Sequence, residues 1–268
     1  MPKRPQIGLA LGSGGFRGFA HIGVIQVLQE NNIPIDYISG ASIGALVGAY
    51  FSVYSDLGPL EDAIVSNNKN QLPTLLDLGF RAGLVSGRKF EVFLEKVLAR
   101  SSFNDCRIPL KIVATDLVSG QAQILEQGSL ATAVRASSSV PLVFEPVRSR
   151  GRLLVDGGLS NPVPVDLLPS MGADKIIAVN LYNRNEFIDK RFNLATVALR
   201  STRIAVHNLS KHSLHGADVI LNPDTSAFMQ TNRYKKYFDP PVARALIDIG
   251  RREAKKCLPD ILKILNKS

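Results

Sequence analysis

The fold is decided by Ile7-Gly8-Leu9-Ala10-Leu11-Gly12-Ser13-Gly14-Gly15-Phe16-Arg17-Gly18-Phe19-Ala20-His21-Ile22-Gly23-Val24-Ile25-Gln26-Val27-Leu28. The apolar run Ile7 to Leu11 has strand length, the next seven residues include four glycines and an arginine, and apolar residues then recur with helical period. A strand passing through a glycine loop into a helix is the opening unit of an α/β fold.

Working outward, Tyr37 to Ser39, Leu110 to Ala114, Leu153 to Val155, Lys175 to Leu181 and Val219 to Leu221 also read as strands. Helical-period segments separate them, which predicts a mostly parallel central sheet covered by helices on both faces. Phe90, Phe93, Leu94, Val97 and Leu98 form one stripe of a helix and are expected in the core. Asn193 to His215 reads as one amphipathic helix. Gly58 to Arg88 offers breakers and no good strand, so it is expected as an insertion over the sheet edge that can act as a lid. Pro259 is expected to split the C-terminal segment into two helices. No internal repeat or composition shift marks a second domain, and residues 1–268 are expected to form one.

Composition narrows the class. Hydrophobic residues make up 45% and charged residues 21%, an ordinary globular balance, and no apolar run approaches a membrane span. Lys and Arg outnumber Asp and Glu by 32 to 23. That excess suits an anionic partner such as a phospholipid surface, or simply a solubilising exterior. No zinc-finger spacing or RNA-binding aromatic signature supports a nucleic-acid partner. Cys106 and Cys257 form no ligand pair or disulfide framework, and the N-terminal residues show no cleavage site after an apolar core. A cytoplasmic location is therefore expected.

The glycine loop can turn successive N–H groups toward one anion at a helix N-terminus. Two ligands fit it: a dinucleotide pyrophosphate or the oxyanion of a tetrahedral acyl intermediate. The dinucleotide reading also wants an acidic residue at the end of the second strand. That strand runs instead into Gly40-Ala41-Ser42-Ile43-Gly44, a G-x-S-x-G sequence that can hold Ser42 on a sharp strand-to-helix turn as a nucleophile. Chance alone gives this pentapeptide to about one such chain in ten, so its setting carries the weight.

A nucleophilic serine needs a base. His207 or His212 would suit an α/β-hydrolase triad, but too few residues precede Ser42 for the strands of that fold, and both lie in the predicted helix. His21 falls in the first helix, where a polar contact suits it better. His207, His212 and His215 lack the spacing of a helical zinc site, so no metal or other cofactor is expected. Asp156-Gly157-Gly158 follows Leu153-Leu154-Val155 at a strand end. Alone it reads as a turn as readily as a base.

Together these elements resemble the patatin-like phospholipase family, in particular bacterial members of about this length. Ser13 to Gly18 resembles the family's glycine–arginine loop, with Ser13 where the strict motif has glycine. Gly40 to Gly44 resembles the nucleophile motif, and Asp156 to Gly158 the Asp-Gly-Gly motif. Ala20 to Val24, Gly83 to Gly87, Ala114-Thr115-Asp116, Arg135-Ala136-Ser137-Ser138 and Gly172-Ala173-Asp174 are also typical.

The resemblance implies a three-layer α/β/α sandwich and a Ser–Asp dyad of Ser42 and Asp156. It makes Gly14 and Gly15 the oxyanion donors, with Gly12, Gly18, Gly40, Gly44, Gly157 and Gly158 as motif glycines. Arg17 would bind a phosphate head group or brace the loop. The implied substrate is a fatty-acyl ester of a phospholipid, lysophospholipid or related lipid. Two rivals stay open: an esterase with a histidine base, and a non-catalytic nucleotide-binding or regulatory module. The basic, partly apolar stretch Arg251 to Leu265 could lie on an anionic membrane or pack on the core.

Overall fold

The computed structural model describes residues 4–65, 87–182, 193–229 and 239–265. Among these residues eight strands form one sheet: β1 (Ile7–Leu11), β2 (Tyr37–Ala41), β3 (Leu110–Asp116), β4 (Ala122–Leu125), β5 (Val147–Ser149), β6 (Arg152–Asp156), β7 (Lys175–Val179) and β8 (Val219–Leu221). The helices are α1 (Phe19–Glu30), α2 (Ile43–Tyr54), α3 (Gly58–Val65), α4 (Arg88–Val97), α5 (Leu130–Ser137), α6 (Leu168–Met171), α7 (Leu194–Ser213), α8 (Ser226–Met229) and α9 (Pro240–Leu265).

β3, β2, β1, β7 and β8 are parallel neighbours in that order. Every strand expected from the sequence forms. Side chains alternate across the sheet as its period of two requires. Leu9 and Leu11 of β1 and Ile177 and Val179 of β7 enter the larger core beneath α1, α2 and α9. Ala10, Ile176 and Ala178 face a smaller core with Leu168 of α6. Helices therefore cover both faces, giving the layered α/β architecture that the sequence implies.

Two strands escape the sequence reading, β4 and β5. They are short, lack fully buried positions, and pair antiparallel at the β3 side of the sheet. The turn between β5 and β6 is Arg150-Gly151, with both residues at positive φ (47° and 75°). This is the two-residue geometry that matches strand twist.

Pairing along β3 has a consequence for the site. Val113 lies between Ala41 of β2 and Ile124 of β4, whereas Ala114 lies between Asp156 of β6 and Gln123 of β4. Since β4 runs along one edge of β3, β2 and β6 share the other edge. β2 is parallel to β3 and β6 antiparallel, so their carboxyl ends meet head-on at Val113 and Ala114.

α4 confirms the Phe90 stripe, with Leu94 and Leu98 fully buried and Phe90, Phe93 and Val97 packed against the core. α7 matches the predicted amphipathic helix. The split expected at Pro259 does not occur: α9 continues through it. Proline removes one backbone donor, but Ala254 and Ile261 on either side are fully buried and fix the helix against the core. α9 is thus a core helix, packed through Leu246 and Ile247 as well. Of the expected insertion 58–88, residues 66–86 lie outside the described residues, and with them the lid reading and most of Gly83 to Gly87. Residues 58–65 are α3. No helix among the described residues is long and apolar enough to cross a membrane.

Candidate active site

Ser42 stands between β2 and α2 with φ 54° and ψ −121°, a conformation that side-chain-bearing residues rarely adopt. The turn is tight because the start of α2 lies against the end of β1. A Cβ on Gly44 would strike the carbonyl of Leu11. The strained backbone is held by Ser137 of α5, whose Oγ accepts a hydrogen bond from the Ser42 amide at 2.7 Å and donates to the Val113 carbonyl at 2.6 Å. Sequence reading did not single out Ser137 as part of the site.

The Ser42 hydroxyl donates to Asp156 Oδ2 at 2.7 Å, and both residues are buried. The other carboxylate oxygen accepts the Gly158 amide at 2.8 Å. The aspartate backbone is fixed too: its amide donates to the Ser139 carbonyl at 3.0 Å, and its carbonyl accepts from Thr115 Oγ1 at 2.8 Å. Gly157 lets the chain leave β6 sharply, because a Cβ there would meet the Val113 carbonyl. Burial pushes the Asp156 carboxyl up to about 6, against the two hydrogen bonds that favour its charged form. A carboxylate so placed accepts a proton more readily than one in water.

The glycine loop wraps the same point. Its first residues are anchored, with the Gly12 amide on the Val179 carbonyl at 3.0 Å and the Ser13 amide on the Pro162 carbonyl at 2.8 Å. Gly18 packs against Ile43, and Gly158 against Ser13. Gly12 and Gly40 likewise stand where a Cβ would crowd backbone atoms. His21 Nε2 lies 2.8 Å from the Gly12 carbonyl. Burial lowers the His21 imidazole to about 4, so it is neutral at physiological pH and serves as a fixed donor to the loop. Among the described residues no hydrogen bond engages the amides of Gly14 or Gly15.

Arg17 is buried beneath this loop. Its Nε donates to the Gly14 carbonyl at 2.9 Å, its Nη1 to the Leu181 carbonyl at 2.8 Å, and its guanidinium lies 4.4 Å from the centre of the Tyr182 ring. Of the two roles the sequence leaves open, this geometry is that of a brace, tying the loop to the segment after β7. A lysine cannot reproduce the planar fork. Arg17→Lys is therefore expected to cost about 2 kcal/mol of stability through two weakened charge-assisted bonds, measured by urea unfolding.

The histidines of α7 do not join Ser42. His207 hydrogen-bonds the Tyr182 backbone, and among the described residues no histidine bonds the Ser42 hydroxyl. Nor do three or more His, Cys, Asp or Glu side chains gather there as a metal site. Cys106 and Cys257 are free thiols.

Comparison with known proteins places the chain in context. The family model described as patatin-like phospholipase matches residues 9–169. An uncharacterised NTE family protein of Mycobacterium tuberculosis is 38% identical over 178 residues, covering 66% of this chain and 49% of the relative. The neuropathy target esterase sws of Drosophila melanogaster is 34% identical over 186 residues, 67% of this chain and 13% of that protein. The chain spans half or less of the length of these relatives. Among solved structures, VipD from Legionella pneumophila aligns over 96% of this chain and 67% of its own with a TM-score of 0.51 at 16% identity, a likeness of fold.

Proposed function

The chain belongs to the patatin-like phospholipase family, and from that premise we propose that it is a serine acyl hydrolase acting on fatty-acyl esters of phospholipids, lysophospholipids or related lipids. The observation that carries the reading is the 2.7 Å hydrogen bond from Ser42 Oγ to the buried Asp156 carboxylate. A nucleophile within hydrogen-bond reach of its base is the geometry that covalent acyl transfer requires.

In the proposed cycle Asp156 takes the hydroxyl proton as Ser42 Oγ attacks the ester carbonyl, and the tetrahedral intermediate expels the alcohol as the proton is returned to it. Water, deprotonated by the same carboxylate, then attacks the acyl-enzyme, and the proton passes from Asp156 to Ser42 Oγ as the fatty acid leaves. The developing oxyanion would be met by the Gly14 and Gly15 amides, each worth about 3 kcal/mol when correctly aimed. The N-terminus of α2 adds favourable field at Ser42. Ser137 holds the nucleophile turn and Arg17 the glycine loop.

Incubation with mixed phospholipid and lysophospholipid micelles, followed by mass-spectrometric measurement of free fatty acid, tests the reading. Release by wild type and none by Ser42→Ala supports it; equal release by both, or none by folded wild type on any lipid ester, refutes it. His207→Ala and His212→Ala are each expected to retain turnover within about threefold, since neither supplies the base. A loss of about 10³-fold in either would instead favour the histidine-dependent esterase.

A further inference from the structure

Several large apolar side chains are open to solvent, and the most exposed of them gather toward one end of the sheet. Among the described residues the four most exposed are Leu194 (89%), Val118 (85%), Leu117 (51%) and Leu142 (49%). Each belongs to a different stretch of chain from the catalytic pair, and each lies at or beyond the carboxyl end of the sheet, the end where Ser42 and Asp156 lie. Leu117 and Val118 follow the end of β3, with the Leu117 amide on the Leu153 carbonyl at 2.7 Å. Leu142 sits at positive φ (67°) on the tip of a turn closed by the bond from the Val143 amide to the Val140 carbonyl, shortly after Ser139, which holds the Asp156 amide.

Leu194 reaches the same rim from the other side. α7 returns the chain to the amino end of β7, where the Asp218 amide meets the Ile176 carbonyl. Further up the helix, His207 hydrogen-bonds the backbone of Tyr182, beyond the carboxyl end of β7. The stretch from His207 back to Leu194 carries α7 roughly 20 Å further. Leu194 and Val197 are exposed on that projecting half.

The charges at this rim are of one dominant sign. β6 runs antiparallel to β3 and opens beyond Asp116, so its hairpin with β5 stands at the rim and carries Arg148, Arg150 and Arg152, all exposed. The half of α7 that projects toward the rim adds Arg200 and Arg203, and the helix contains no acidic residue. Among the described residues the acids nearby are Asp116, which is buried with Arg152 at 3.8 Å, Glu145, and Glu91, which faces Arg135 together with Glu145.

We infer that this rim is the docking surface for an anionic lipid bilayer: Val118, Leu142 and Leu194 enter the acyl boundary while the β5–β6 arginines lie on the head groups. Apolar tips ringed by cations match the layering of such a surface, with hydrocarbon below and negative charge above. A protein partner would need a complementary shape, whereas separate tips on three chain segments need only a penetrable plane. The inference rests on reading the substrate as a lipid and adds where that lipid is met. Docking at this rim sets the catalytic pair against the bilayer, with the C-terminal helix α9 left out of the contact.

Flotation of the full chain with phosphatidylcholine vesicles, with and without phosphatidylglycerol, tests the surface. Ser42→Ala is used throughout so that binding is read apart from hydrolysis. Binding is expected to anionic vesicles and to be weak on neutral ones. Arg148→Ser/Arg150→Ser is expected to weaken it about tenfold or more, and Val118→Asp/Leu142→Asp by a similar factor. Lys255→Ser/Lys256→Ser on α9 should leave it unchanged, and all variants should melt like the parent. The inference is overturned by absent binding to anionic vesicles, by rim variants that bind as the parent does, or by loss confined to the α9 variant. If wild type fails to release fatty acid while rim-dependent binding persists, the hydrolase reading falls and the docking surface stands.

Discussion

Asp156→Asn is expected to lower turnover about 10³-fold and at the same time to stabilise the folded protein at neutral pH. The two effects share one cause. Burial raises the carboxyl to about 6, above the value of about 3.9 that it has in an unfolded chain. The folded state therefore holds the proton more tightly than the unfolded state does. The contribution of Asp156 to stability is fully present below about pH 3.9 and is lost as pH rises through about 6, leaving a penalty of about 3 kcal/mol at neutral pH.

Asparagine carries no charge to bury, so the variant should melt a few degrees higher at pH 8 and lose most of that advantage near pH 4. Catalysis has the opposite sign. Because the base acts only when ionised, wild-type turnover should rise as pH passes about 6 and then level. Residual turnover of Asp156→Asn should lack that limb. Turnover near the wild-type level, or the same limb in the variant, would remove Asp156 from the proton transfer.

The second large effect concerns Ser42. Ser42→Gly and Ser42→Ala should both be inert, yet differ in stability by about 1–3 kcal/mol in favour of glycine. Both lose the hydroxyl and its bond to Asp156, so those losses cancel in the comparison. What remains is the backbone at φ 54° and ψ −121°, which alanine must keep and glycine adopts at little cost, less the greater freedom that glycine gives the unfolded chain. Paired chemical denaturation of the two variants measures the difference. Equal stabilities would mean that the turn stores no more strain than the extra unfolded-state freedom of glycine offsets, about 1 kcal/mol.

The parts of this site that were legible in the sequence are those written locally. The strand, turn and helix around Ser42 could be read because an apolar run, small residues and a second apolar run succeed one another within a few positions. The same is true of the glycine loop and of the Phe90 stripe. Asp156 was different: its own neighbourhood describes a turn, and its place beside Ser42 arises because β2 and β6 meet end to end along one edge of β3. That juxtaposition depends on antiparallel pairing at the β3 side, where β4 and β5 are too short and too exposed to announce themselves.

Ser137 escaped for a related reason. A hydroxyl that satisfies the Ser42 amide from 95 positions away in the chain has no periodicity or spacing to betray it. Arg17 lies between: its type and loop point to an anion or a brace, and the bracing bonds to the carbonyls of Gly14 and Leu181 appear only in the folded chain. Pro259 breaks an isolated helix, but α9 is clamped against a core on both sides of it and continues.

The central claim, that Ser42 is a nucleophile activated by Asp156, is tested most directly by reaction with a fluorophosphonate followed by peptide mass mapping. The expected result is one phosphonyl group per chain, on the peptide carrying Ser42. It should be absent in Ser42→Ala, and in Asp156→Asn it should form far more slowly than in wild type. Labelling of a folded sample at another residue, no labelling at all, or equal rates in wild type and Asp156→Asn would contradict it.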